Sequence, residues 1–498
     1  MRITIAILFV VVTAACTQHN PDSCCTTQPQ CDSFGLDHVI GCDGNKVCDP
    51  NGVCIAPQCA TSVDCTSPDT PICENQLCVA ACTTDDECVG IAGRPYCATD
   101  GVCVACKDDS QCTLDAPVCD AAARACRGCA DDMECPGGVC LEADGTCKLD
   151  ADVYFVASNG VDAGNCTRST PCATIPFVLA KTTPPTKIIH ILGGNLIVGT
   201  SMLTIDHPVY IDGSGTTLGG VLSGPVLHFA PQAQSSVLSH VIVTAPNNPA
   251  DNPAITVDAS VALRVYDAVI KRGIKITNGS VAVFKSTFND PTVLVGGIDC
   301  TSGTVSVDTS TFTASTVKSS NCPVTLKRNR FDETNVACFS ISGGTAILEN
   351  NLFVVGSELD DCGDLLGVAP GSVVRFNTFV NTADVVADGV ALACGSDVDV
   401  TSNIFAYNST QPHGPTPTCL AKFSLYDAIT TEPLGTNSIM ANGATFFANK
   451  AAKDFHLATG SPAIGVAEPN LAVTVDLDGT PRPSPTGTAP DMGAFESP

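Results

Sequence analysis

Tryptophan is absent from these 498 residues, tyrosine occurs six times, and 24 lysines and arginines face 51 aspartates and glutamates. Each shortage removes a class of function. A formal charge of −27 repels phosphate backbones, which excludes nucleic acid as a partner. Few rings are left to serve as stacking platforms for ligands. Apolar spacing of three and four is missing, so long amphipathic helices are not expected. Beyond the first 16 positions no apolar run approaches the roughly 20 residues of a membrane helix. What the chain has instead is cysteine, 31 of them, with 42 glycines and 33 prolines.

The first residues, Met1 to Cys16, carry one positive charge, an apolar run and small residues before a thiol. That is the pattern of an export signal over residues 1–15. Small residues directly before Cys16 resemble the lipobox of bacterial lipoproteins, although Thr13 stands where leucine is usual. The resemblance implies a lipid on Cys16, a linker over 16–23, and membrane attachment through that lipid. One acyl group binds marginally, whereas several anchor stably. The implied location is the bacterial envelope, at the outer membrane or cell surface; ordinary cleavage and secretion is the alternative. Loss of Arg2 with the signal leaves 23 basic against 51 acidic residues, a charge of −28.

Thirty cysteines remain after Cys16, and 22 of them fall between Cys24 and Cys147. Over residues 24–148 four repeats are clear: Cys59, Cys65, Cys73, Cys78; Cys82, Cys88, Cys97, Cys103; Cys106, Cys112, Cys119, Cys126; and Cys129, Cys135, Cys140, Cys147. Units of about 20 residues cannot bury a core, so crosslinks must hold them. Four cysteines allow three connectivities, and spacing does not choose among them. Zinc is the alternative, since Cys103 to Cys106 and Cys126 to Cys129 have two-residue spacings, but His38 is the one histidine in this segment. The array resembles the EB- or Dickkopf-type cysteine-rich modules. Acidic pairs Asp85-Asp86, Asp108-Asp109 and Asp131-Asp132 recur in register, a pattern that suits calcium as well as a solvated face.

From Ala151 the composition turns to Val, Thr, Ser, Gly and Asn, with short apolar runs such as Lys187 to Leu192 bounded by turn residues. A polar residue, a spacer and Phe recur at Ser286/Phe288, Ser310/Phe312, Asn329/Phe331, Asn351/Phe353, Asn377/Phe379 and Asn403/Phe405. The phenylalanines are 24, 19, 22, 26 and 26 residues apart. A period near 23 matches one coil of three short strands and their turns. Successive coils then stack at roughly 4.8 Å, aromatic over aromatic within the bore. Asparagine tolerates a left-handed turn, and its stacked amides hydrogen-bond along the axis. The expected fold is all-β: a right-handed parallel β-helix over 151–498, preceded by the small disulfide-rich repeat region. Ala173 to Lys181 reads as a helical lid over the first coil, braced by Cys166 with Cys172. Cys300, Cys322, Cys338, Cys362, Cys394 and Cys419 are spaced near the coil period, so neighbours could crosslink successive coils.

Tyr154 to Asp162, Thr170 to Ile175 and Ile188 to Gly193 resemble the entry segment of pectin-lyase-like β-helix proteins. Gly460 to Gly465, Asp476 to Pro483 and Pro490 to Glu496 are similar to the tails of bacterial extracellular β-helix proteins of the choice-of-anchor type. The likeness implies the fold; this superfold carries both enzymes and binding proteins. Asp476 and Asp478 are expected to cap a turn, with Arg482 paired locally.

Glycan-hydrolysing members of the family carry Asn-x-Asp, Asp-Asp, Gly-His-Gly and Arg-x-Lys. Here Asp360-Asp361 supplies the second element, Gly-His-Gly is absent, and Arg328-Asn329-Arg330 is the nearest basic pair. Glu358 and Asp384 each lie five residues after a ladder Phe, so they could stack on adjacent coils. With Asp360, Asp361, Asp364 and Asp388 nearby, and Lys327, Arg328 and Arg330 one coil away, they form the catalytic cleft the sequence can offer. Calcium is the cofactor such chemistry would use. The expectation favoured here is a lipid-anchored surface protein whose β-helix binds or adheres without catalysis, its partner a polysaccharide or another surface component. A polysaccharide lyase or glycoside hydrolase working in an acidic groove, and a structural envelope component, are the alternatives.

Overall fold

The computed structural model describes all residues except 1–41, 43–45, 49–52, 61–63, 65–69, 71, 75, 80–81, 90–92, 182–185, 198–201, 220–223, 245–252, 290–295, 335–336, 357–361, 383–390, 396, 407–420, 428–434, 470–472 and 498. Cys16, Cys65 and Cys419 lie outside the described residues. The chain divides into two compact units: Met1–Pro136 with Asp144–Cys147, and Gly137–Ala143 with Lys148–Pro498. No described helix is long and apolar enough to cross a membrane.

In the first unit, disulfides take the place of a core. Cys82 bonds Cys97 and Cys88 bonds Cys103; Cys106 bonds Cys119 and Cys112 bonds Cys126. Two repeats therefore share a first-to-third, second-to-fourth connectivity. Cys59 bonds Cys73 and Cys135 bonds Cys147 in the same pattern, while Cys78, Cys129 and Cys140 are also disulfide-bonded. The recurring acidic pairs have a backbone task. Asp85 and Asp109, each three residues before a second cysteine, accept the N–H of the third cysteine, Cys97 or Cys119, at 2.7 Å. Asp108 and Asp131 cap the short 3-10 turns that follow them.

In the second unit, 28 parallel strands among the described residues form one continuous hydrogen-bonded system that winds as a β-helix of three sheets. The first sheet holds Leu203–Ile205, Leu227–Phe229, Ile255–Val257, Thr316–Ser320, Phe339–Ser342, Gly363–Leu365 and Leu392–Cys394. The second holds Lys187–Ile191, Ala262–Tyr266, Val324–Lys327, Ala346–Glu349, Ser372–Arg375 and Val398–Thr401. The third runs through Val269–Lys271, Thr287–Asn289, Thr311–Thr313, Arg330–Thr334, Leu352–Val355, Thr378–Asn381, Ile404–Ala406, Leu425–Asp427 and Ile439–Ala441. Four longer strands, Val209–Gly219, Ser236–Thr244, Ile274–Phe284 and Gly297–Asp308, bend from one sheet into the next. At the entry, Ile175–Leu179 is a short helix capped by Thr174, with Ile175 and Val178 buried. Cys166 is bonded to Cys172 beside it. Cys300 and Cys322 join two successive coils.

The bore of the third sheet is aromatic. Phe288, Phe312, Phe331, Phe353, Phe379, Phe405 and Tyr426 stack with ring centroids 4.5–5.2 Å apart, all at most 2% exposed. Before Phe288 the same column is aliphatic, Leu218, Val243 and Ile270. At the corner between second and third sheets, a buried side-chain oxygen accepts the backbone N–H of the preceding coil. The ladder runs from Ser286 through Ser310, Asn329, Asn351, Asn377 and Asn403 to Ser424 and Ser438. Asn329, Asn351 and Asn377 each also donate to the next asparagine of the stack, Asn329 Nδ2 to Asn351 Oδ1 at 3.0 Å for example.

The left-handed turn expected at these asparagines falls one residue earlier. Lys285, Thr309, Arg328, Asn350, Phe376, Ser402, Phe423 and Asn437 all have φ in the left-handed region, for instance 53° at Arg328 and 54° at Phe376. This placement turns the following Asn or Ser inward, where its side chain can feed the ladder.

Outward, the third sheet changes along its length. Thr287–Asn289 and Thr311–Thr313 bury only their central Phe, whereas Leu352–Val355 and Thr378–Asn381 are buried on both faces. The cover is the C-terminal tail. Phe446, Phe455, Met492, Ala494 and Phe495 pack on Leu352, Val354, Val380 and Ile404 as a second core. Gly493 permits the closest approach, since a Cβ there would meet Ile404 and Thr378 side chains at 2.6 Å.

Candidate functional site

Where the tail stops, a cavity of about 230 Å³ opens between its last turns and the uncovered part of the third sheet. Thr309, Ser310 and Thr311 form one wall, and Phe455, Leu477 and Phe495 form an apolar one. Arg328, Arg330, Lys453 and His456 bring cationic or protonatable groups to it, with Asp454 and Asp478 the lining carboxylates. Asp308, Asp332, Asp454 and Asp478 lie against these groups, so in a chain of net −27 the cavity gathers basic side chains and balances them with carboxylates.

Chain geometry sets each group. Arg328 occupies the left-handed corner, and its Nε and Nη2 donate to Asp308 at 2.9 and 2.6 Å. The Asp308 hydrogen bonds push the guanidinium pKa further up against the effect of burial. Arg330 points outward from its strand because Phe331 points in, and Asp332 takes its Nε–H at 2.8 and 3.0 Å. Lys453 sits at the left-handed end of a 3-10 turn. His456 lies between two carboxylates, Nδ1 at 2.6 Å from Asp454 and Nε2 at 2.7 Å from Asp478, with its ring 4.5 Å from that of Phe495. Burial opposes its charge, but the hydrogen bonds to Asp454 and Asp478 outweigh this and raise its pKa above the ordinary histidine value.

Chemically, the site can hold a small anion against an apolar wall. It does not present the facing carboxylate pair of a hydrolase. Asp454 and Asp478 are both engaged by His456, so neither faces the other across the cavity as a hydrolytic pair would.

Of the residues proposed from sequence, Arg328 and Arg330 are here. Glu358, Asp360, Asp361, Asp384 and Asp388 lie outside the described residues. Asp364 belongs to the first sheet, where its carboxylate accepts the N–H of Leu366. The arginines belong to the corner and third sheet, so coil distance alone does not place them and Asp364 on one face. Lys327 instead reaches Glu349 at 3.0 Å, and Glu349 also holds Arg375. Lys453, His456 and Phe495 carry no signal in the sequence, since they come from the returning tail, more than 100 residues along the chain. At the tail's centre, Asp476 accepts the N–H groups of Asp478, Thr480 and Glu496, and Arg482 pairs with Glu496 at 2.9 Å.

No protein-family model matches the chain. No curated protein matches it either. Among solved structures it is similar to the one titled "Crystal structure of pectate lyase Pel9A", with 14% sequence identity and a TM-score of 0.46, over 70% of this chain and 96% of that one.

Proposed function

We propose that this β-helix binds an acidic sugar unit of a polysaccharide without turning it over, in a protein carried on the bacterial cell surface by a lipid on Cys16. The observation that carries the reading is one cavity that brings together Arg328, Arg330, Lys453 and His456 in a chain with few basic residues. A planar guanidinium matches a carboxylate, and Asp332 engages only the Nε of Arg330. Phe495 and Leu477 offer an apolar face to a sugar ring, and Thr309 and Thr311 offer hydroxyls to its polar edge. At about 230 Å³ the cavity is smaller than the roughly 300–1,000 Å³ of drug-sized pockets, which suits one ring of a chain rather than several.

The test is retention on immobilised uronate and neutral glycans, with and without calcium. Uronate should be retained intact, and Arg330→Gln should weaken it about 10-fold or more, the worth of one charge-assisted hydrogen bond of roughly 1.5–3 kcal/mol. Affinity should fall as pH rises through the raised pKa of His456, because only its protonated form adds positive charge to the rim. Release of unsaturated or newly reducing oligosaccharides would replace binding by catalysis. Equal retention of neutral glycans would remove the charge argument.

A further inference from the structure

We infer that Glu142, His240 and Asp267 form a transition-metal site on the first coils, separate from the tail cavity. All three belong to the β-helix unit, since Gly137–Ala143 is part of it. His240 and Asp267 occupy left-handed corners of successive coils, with φ of 50° and 43°. These corners project both side chains from the same edge, and Glu142 meets them from the segment that precedes the first coil.

The imidazole is held as a ligand's would be. Its Nδ1 lies 3.0 Å from Oδ1 of Asp212, whose side chain is 8% exposed. The other oxygen of Asp212 is 2.8 Å from Nδ1 of His190. A buried carboxylate on one ring nitrogen orients the ring with its second nitrogen toward Glu142 and Asp267; the hydrogen bond to Asp212 and the surrounding carboxylates raise the imidazole pKa, so a metal binding there displaces a proton. That second nitrogen, Nε2, is 3.1 Å from Oε2 of Glu142 and 3.5 Å from Oδ2 of Asp267. It is buried, yet neither contact has the alignment of a hydrogen bond. Bonds of about 2.0–2.2 Å to a tetrahedral zinc ion put neighbouring ligand atoms roughly 3.3–3.5 Å apart, which is the spacing seen around Nε2. The carboxylates of Glu142 and Asp267 stand further from each other than they would around a shared ion. Their exposure, 29% for Glu142 and 59% for Asp267, lets both rotate onto one. Nearby, Lys285 donates to the Tyr266 hydroxyl at 3.0 Å, and the Tyr266 ring meets His240 edge-on. One imidazole with two carboxylates selects zinc or a neighbouring transition metal over calcium, which prefers an all-oxygen shell.

The test uses the full chain after chelation, with zinc chloride followed by calorimetry and by thermal unfolding. One equivalent of zinc should bind and raise Tm, while calcium at the same concentration should do neither. The paired substitution Glu142→Gln with Asp267→Asn, both at accessible side chains, should weaken zinc at least 10-fold without lowering the metal-free Tm. Asp212→Asn should weaken it 10- to 100-fold through ring orientation. Absence of stoichiometric zinc, zinc binding undiminished in the paired variant, or equal binding of calcium would each overturn the assignment.

Discussion

Replacing Asn351 by leucine is expected to cost about 4 kcal/mol, although the two side chains are close in size. Asn351 is fully buried, and its Oδ1 accepts from the backbone N–H of Asn329 while its Nδ2 donates to the carbonyl of Leu326. Leucine strands both backbone groups where water cannot reach them, at about 1–3 kcal/mol each. It also removes the bond to Asn377 Oδ1. Phe353→Ala, one ladder over, should cost about 3–5 kcal/mol by a different route, an unfilled cavity between Phe331 and Phe379. The two are separable by amide hydrogen exchange. The leucine variant should lose protection first at Asn329, whereas the alanine variant should loosen neighbouring side chains with that amide still bonded. A loss below about 1 kcal/mol for Asn351→Leu would mean the amide column is dispensable.

These same residues explain what is readable in the chain. A coil repeats its geometry, so a side chain that suits one corner suits the next, and Asn-x-Phe recurs often enough to reveal the period. The aliphatic start of the column, Leu218, Val243 and Ile270, gives no signal because such residues line all three sheets. The left-handed corner lies one residue from its expected place because its occupants, among them Lys285, Thr309, Arg328 and Phe376, carry none of the glycine that usually marks it. Disulfide connectivity is not legible because four cysteines per repeat allow three pairings and spacing does not choose among them. The acidic cleft meets a further limit: a period says which residues share a coil position, not which sheet they face. The cationic cavity needs Arg330 and His456 together, and their meeting depends on a tail that doubles back over the third sheet.

That return depends on Arg482, and Arg482→Met is expected to cost about 3–5 kcal/mol and to abolish uronate retention while leaving Arg328 and Arg330 in place. The guanidinium is 1% exposed and pairs with Glu496, itself 0% exposed; it donates to the carbonyls of Asp491 and Gly493, and lies over the Phe376 ring at 4.4 Å. Removing one partner of such a pair leaves the other charge buried alone, which is the expensive case. Burial already pushes the Glu496 pKa up, with Arg482 opposing it, so a carboxylate left without the arginine is destabilised further. The pair is therefore expected to matter more for docking the tail than for net stability. Combining Arg482→Met with Glu496→Leu should recover much of the lost stability, because two apolar side chains avoid the stranded charge. If the double variant regains both Tm and glycan retention, docking alone positions His456 and Phe495. If stability returns and binding does not, the hydrogen bonds from Arg482 to Asp491 and Gly493 set the shape of the cavity wall.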